Sequence, residues 1–216
     1  MSKKQLKAVN PLIYERTSTG EAIYDIYSRL LKDRILMLSD EVNSESASNM
    51  ISQLLWLDKQ SDKPIQLYIS SPGGSVSEMF AMHDIMQHIK APVYTVVIGL
   101  AASAAAILLA AGEKGHRYAL PYSEILIHQP FCEYAGGGTT TDVEIQTRWM
   151  SNTKKRMLEI LARHTGNTYS KVEKACERDC WLLPEQAIEF GIIDKIITPN
   201  KPLPPLKTYN KKTKKS

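Results

Sequence analysis

The chain of 216 residues predicts an α/β fold of βαβ units with parallel strands. Three observations carry that prediction. Strand-like and helix-like runs alternate from residue 34 onward. Sharp turns built on proline and glycine, such as Ser71-Pro72-Gly73-Gly74-Ser75, separate several of them. The longest apolar run also changes character midway. Val93-Tyr94-Thr95-Val96-Val97-Ile98 is short and β-branched, as a buried strand is, whereas alanine and leucine, strong helix formers, dominate after Ser103. The change falls across Gly99 to Ser103, which reads as strand, tight turn, helix.

In chain order, residues 1–23 read as a flexible, exposed N-terminal segment, polar and mixed through Glu15-Arg16-Thr17-Ser18-Thr19-Gly20-Glu21. Tyr24 to Asp33 places Ile26, Leu30 and Leu31 on one side of a helix, and Arg34 to Leu38 is a first strand. Asn43 is a capping residue ahead of a helix whose apolar face is Ala47, Met50, Ile51, Leu54 and Leu57. Ile65 to Ser70 is a second strand. The helix after Ser75 runs through Lys90 with Met79, Met82, Met86 and Ile89 on a stripe. Glu113 to Arg117 reads as a charged turn, and Ile125 to His128 as a short strand stopped by Gln129-Pro130. The flexible stretch Gly136-Gly137-Gly138-Thr139-Thr140-Thr141 leads into a long amphipathic helix from Asp142 to about His164, with Val143, Ile145, Trp149, Met150, Met157, Leu158 and Leu161. A helix over Tyr169 to Arg178, another opening at Pro184, and a strand from Ile192 to Ile197 complete a domain spanning 24–199. Residues 200–216, rich in proline and lysine, read as a disordered basic tail.

Charge narrows the function classes. The net charge is +4, but the tail holds six lysines and no acid, so the remainder sums to −2, the difference of the two. The body is near neutral and has no basic face suited to nucleic acid. Cys132, Cys176 and Cys180 are too few for a disulfide framework, and no second pair completes a zinc site around the last two. Reduced thiols, no secretory signal and a cytoplasmic location, or alternatively an organelle stroma or matrix, are the expectation.

Ser103 is the first candidate for chemistry. At the first turn of a buried helix, free amides and the helix dipole favour negative charge, so a hydroxyl there suits attack on a carbonyl. Other readings fit the same stretch: a plain helix N-cap, a small residue where helix and strand meet closely, or a membrane span over Val93 to Gly112. Membrane insertion is disfavoured by Tyr94, Thr95 and Ser103 and by the lack of a second span. The turn at Gly73-Gly74 can aim an amide outward, which an oxyanion site needs from a second loop. Of the histidines, His83, His88 and His164 fall within helical patterns and read as solvated or partly packed, and His116 lies in the charged turn. His128 alone ends a buried strand, where α/β sheets present working groups. Asp179 reads as the end of a helix, where an acid opposes the dipole and calls for a partner such as a histidine ring.

Five motifs come in order: Tyr24-Asp25-Ile26-Tyr27-Ser28-Arg29-Leu30-Leu31-Lys32-Asp33-Arg34-Ile35, Ser71-Pro72-Gly73-Gly74, Gly99-Leu100-Ala101-Ala102-Ser103, Ile127-His128-Gln129-Pro130, and Glu177-Arg178-Asp179 through Gly191-Ile192-Ile193-Asp194. Together, from about Leu12 to Ile197, they resemble the proteolytic subunit of the ATP-dependent Clp protease. The resemblance implies a crotonase-like βαβ spiral with a protruding handle helix within about residues 130–165. It implies Ser103 as nucleophile, His128 as general base and Asp179 as the acid orienting it. It also implies Gly74 and Ala104 as oxyanion amides, Arg178 in coupling ring contact to activity, and Tyr68 in a pocket for the ATPase. The implied assembly is two stacked heptameric rings, homomeric or mixed, receiving unfolded polypeptides from a Clp-type ATPase. No cofactor, membrane or nucleic acid is implied; ATP belongs to the partner.

Three positions depart from the family pattern. Ala104-Ala105 stands where Met-Gly is usual, the glycine-rich segment before Asp142 is about two residues longer, and Gln66 replaces an aromatic residue. Two alternatives follow: a weakly active structural paralogue within a mixed ring, and an acyl-CoA hydratase or isomerase on the crotonase fold.

Overall fold

A computed structural model describes residues 11–17, 20–131, 138–198 and 200–201. Cys132, Gly136, Gly137 and the tail beyond Lys201 lie outside them. The architecture is α/β, as expected. Seven strands form one sheet: β3 (Ile35–Leu38), β4 (Ile65–Ser71), β5 (Val93–Ala102), β6 (Arg117–Ala119) and β9 (Lys195–Ile196) lie in that order, while β7 (Glu124–Ile127) pairs with β5 and with β8 (Cys180–Leu182). All pairings are parallel except β7 with β8.

β5 is the spine. Its first half, Thr95–Val97, pairs with β6, and its second half, Leu100–Ala102, pairs with β7. On its other edge the register to β4 also shifts, between Ile69 and Ser71. The strand continues to Ala102, four residues beyond the expected boundary at Ile98. Gly99, at φ +76°, absorbs the irregularity inside the strand.

The helices form as their sequences dictate. Asn43 accepts from the amides of Glu45 and Ser46 and closes a capping box on α2 (Ser44–Gln60), which buries Ala47, Met50, Leu54 and Leu57. α3 (Val76–His88) buries Met79, Met82 and Met86. Every residue of α4 (Ala104–Ala110) is buried, so helix propensity and core packing agree there. α5 (Thr140–Thr165) has two halves: Met157, Leu158, Leu161 and Ala162 are buried, whereas Val143, Ile145, Trp149 and Met150 are exposed. Among the described residues no helix is long and apolar enough to cross a membrane.

Further expectations change. Within the segment read as flexible, β1 (Leu12–Thr17) and β2 (Gly20–Asp25) pair as an antiparallel hairpin, and α1 (Ile26–Lys32) starts only after Asp25 caps it. Glu15 ties this hairpin to α1 through Arg29 and Lys32. The charged turn ends one residue earlier than expected, because Arg117 is 3 % exposed and opens β6. The helix expected over Tyr169 to Arg178 stops at Ala175 (α6, Tyr169–Ala175), and β8 follows. The last strand shrinks to Lys195–Ile196, because Asp194 turns back onto Arg117; Ile192 and Ile193 are buried without strand geometry. α7 (Pro184–Phe190) opens at Pro184 as expected.

Candidate active site

β5 ends and α4 begins at one residue. Ser103 has φ +56° and ψ −121°, a conformation that costs a non-glycine residue about 1–3 kcal/mol. Its N–H donates to Leu126 O at 2.8 Å, which fixes the turn against β7. Its hydroxyl makes no capping bond to α4. Instead Oγ lies 2.7 Å from Nε2 of His128. A plain N-cap would spend the hydroxyl on the helix amides, so this geometry disfavours the capping reading.

His128 follows the last residue of β7, with its side chain 25 % exposed. Its Nδ1 lies 3.3 Å from Oδ1 of Asp179, whose side chain is 64 % exposed. A tautomer with its hydrogen on Nδ1, facing the carboxylate, would leave Nε2 free to accept from the serine hydroxyl. Asp179 does not end a helix. It lies in the link between α6 and β8, held by Gln129, whose N–H donates to Cys176 O at 2.6 Å and whose Nε2 donates to Glu177 O at 2.9 Å. Three distant segments therefore meet at the carboxyl end of the sheet.

The glycine turn closes the other side. Val42 N–H donates to Gly73 O and Ser75 N–H donates to Val42 O, so the N–H of Gly74 points away from that bridge. A Cβ on Gly73 would fall 2.5 Å from Ala102 O and 2.7 Å from Ser103 Cβ; only glycine lets these two loops touch. The contact brings the Gly74 turn beside Ala104, the first residue of α4, whose amide has no partner within the helix. Beside the row of three side chains, an open cavity of about 590 Å³ is lined by His128, Pro130, Phe131, Met150, Arg178 and Asp179. A second, of about 420 Å³, lies between Val76, Phe131, Trp149 and Met150.

Other candidates stand apart from this row. Tyr68 is half-buried on β4, its hydroxyl 3.4 Å from Gln66 Oε1. Arg178 is exposed beside Asp179. Burial, with Cys180 nearby, pushes the Cys176 thiol up to about 12, so it is not a nucleophile at neutral pH. Two polar clusters have no local sequence signal. Arg117 pairs with Asp194 at 2.7 Å, and His83 meets His164 at 3.0 Å. Their partners are 77 and 81 positions apart.

An α/β fold with a serine, a histidine and an aspartate in line at the carboxyl end of its sheet belongs to the class of arrangement used for acyl transfer. Residues 18–200 match the family model described as Clp protease. The chain belongs to the Clp protease family, whose members are peptidases, hydrolases of the peptide bond.

Proposed function

We propose that this chain is a serine endopeptidase that hydrolyses unfolded polypeptides to short peptides. The observation that carries the reading is the 2.7 Å contact between Ser103 Oγ and His128 Nε2, made by a serine in strained geometry that leaves its helix uncapped. In this mechanism Oγ attacks the amide carbon while Nε2 takes its proton, and the imidazolium is stabilised by Asp179. The tetrahedral oxyanion is held by the N–H groups of Gly74 and Ala104. His128 returns the proton to the leaving amine, an acyl-enzyme forms on Ser103, and water releases it by the same steps in reverse order of roles. The apolar cavity lined by Val76, Phe131, Trp149 and Met150 suits apolar side chains of the substrate.

The exposed apolar first half of α5 supports assembly, with α5 as a handle between stacked heptameric rings and the active sites inside. A Clp-type ATPase feeds that chamber and docks near Tyr68, and Arg178 couples ring contact to Asp179. The test is a fluorophosphonate label with a fluorogenic peptide assay, on protein sized by light scattering. Labelling at Ser103 and hydrolysis, both abolished in Ser103→Ala, are expected. An assembled ring without an adduct points to a structural subunit, and activity retained in Ser103→Ala points to a hydratase or isomerase.

A further inference from the structure

Two histidines that this chemistry leaves idle meet inside the fold. His83, on α3, is 9 % exposed; its Nδ1 lies 3.0 Å from Asp84 Oδ1 and its Nε2 lies 3.0 Å from Nε2 of His164, near the end of α5. The rings meet edge to face, with centroids 5.2 Å apart. At that distance the two nitrogens share one hydrogen, one donating and the other accepting. When both are protonated, N–H faces N–H and the contact is lost.

The surroundings favour the neutral form of His164. Asp84 is the acid in contact with His83. From β6, Arg117 donates to His164 O at 2.9 Å, and its own charge is matched by Asp194. Arg163 adjoins His164 on α5, and the cavity that His164 borders is completed by Lys90, Glu113 and Lys114. Burial first, then the charges of His83, Arg117 and Arg163, push His164 down to about 4.

The pair sits where position matters. α3 is capped by Ser75, directly after the Gly73-Gly74 turn, and its Val76 faces Trp149 and Met150 of α5 across the apolar cavity, which shares Pro130, Phe131 and Met150 with the cavity at His128. Arg156 stacks over Phe80 at 4.5 Å, a second tie between the same helices. The exposed first half of α5 is thus steered from its second half.

We propose that His83 and His164 are positioning residues, a one-proton latch that fastens α5 to α3 and sets the α5 wall of the cavity. The effect on substrate rests on the peptidase reading above; the latch itself does not. Its test uses the full chain and two variants: His83→Gln, which keeps a hydrogen bond at every pH, and His83→Leu, which leaves His164 unpartnered. Deuterium exchange over residues 145–154, corrected for intrinsic pH dependence, is followed at pH 7.5 and 4.5. The wild type is expected to exchange at least about fivefold faster at pH 4.5, His83→Gln to show no such step, and His83→Leu to be fast at both. A shared pH response in wild type and His83→Gln, or wild-type exchange in His83→Leu at pH 7.5, overturns the latch. If His83→Leu does not fold, the first comparison decides alone. In peptide hydrolysis, His83→Leu raises KM about fivefold with kcat nearly unchanged, and His83→Gln restores it. Altered exchange with unaltered KM overturns the positioning role. Absence of fluorophosphonate labelling in the wild type defeats the peptidase reading, while the exchange comparison still decides the latch.

Discussion

The two ends of the parallel sheet treat charge in opposite ways. At the amino end, Arg117 and Asp194 have side chains only 4 % and 20 % exposed. The guanidinium donates to Asp194 at 2.7 and 2.9 Å, to Ala110 O at 3.1 Å and to His164 O at 2.9 Å, so it closes the ends of α4 and α5 while joining β6 to the start of β9. At the carboxyl end, His128 and Asp179 are 25 % and 64 % exposed, with one close contact and one longer one. A group that must hold helices in place gains from having every donor matched. A group that must pass a proton gains from a partner that stabilises its charged form without immobilising it. On the proposed reading, the first end is where stability is concentrated and the second where reactivity is.

That contrast breaks in a defined way at each end. Asp179→Asn is expected to lower kcat/KM by about 10⁴-fold, through loss of the correct imidazole tautomer, while the melting temperature barely moves because Asp179 is exposed. A large loss of stability instead would make Asp179 a structural residue. Arg117→Leu leaves the Asp194 carboxylate without its partner and is expected to cost about 3–5 kcal/mol, read from urea unfolding. A change below about 1 kcal/mol would remove the distinction between the two ends.

The pH dependence sharpens the same comparison at smaller amplitude. His164 is pushed down to about 4 from 6.5 in the folded chain, so the unfolded chain binds the proton first as pH falls. The associated stability is complete above 6.5 and is lost on descending toward 4, amounting to about 3 kcal/mol at most. Burial pushes the Asp194 carboxyl up, but its bonds from Arg117 outweigh this and hold it low, so its contribution is lost only at more acid pH. Urea midpoints at pH 7.5 and 4.5 check this; the drop should vanish in His164→Gln, and a rise in stability at acid pH would reverse the sign.

Much of the fold is legible in local sequence, because local chemistry decides it. The Asn43 cap, the methionine stripe of α3, the Pro184 start and the change of propensity at Ser103 are each written within a few residues. Arg117 is the counterexample. As a lone charge it reads as a turn, and only Asp194, 77 positions away, makes it a buried strand residue. β8 is three residues long, too short to show a period, so Asp179 reads as a helix end when it lies in a loop. Among the described side chains of the hairpin, at residues 12–16 and 20–25, none is fully buried, and the hairpin lacks the apolar alternation of a core strand. His83 and His164 fit ordinary helical patterns, and their contact is invisible until α3 and α5 are placed together. The serine, histidine and aspartate are each unremarkable locally; the motifs around them, taken jointly, are what single them out.

The forked spine strand has a final consequence. β5 changes neighbours on one edge and register on the other within the same few residues, around Gly99. It therefore divides into two ladders that meet at a glycine. Residues 95–97 are bonded to β6 and residues 100–102 to β7, so the half that leads into Ser103 shares no hydrogen bonds with the strand that carries Arg117. The placing of Ser103 beside His128 is in this way set by β7 alone on that edge, independently of the β6 ladder.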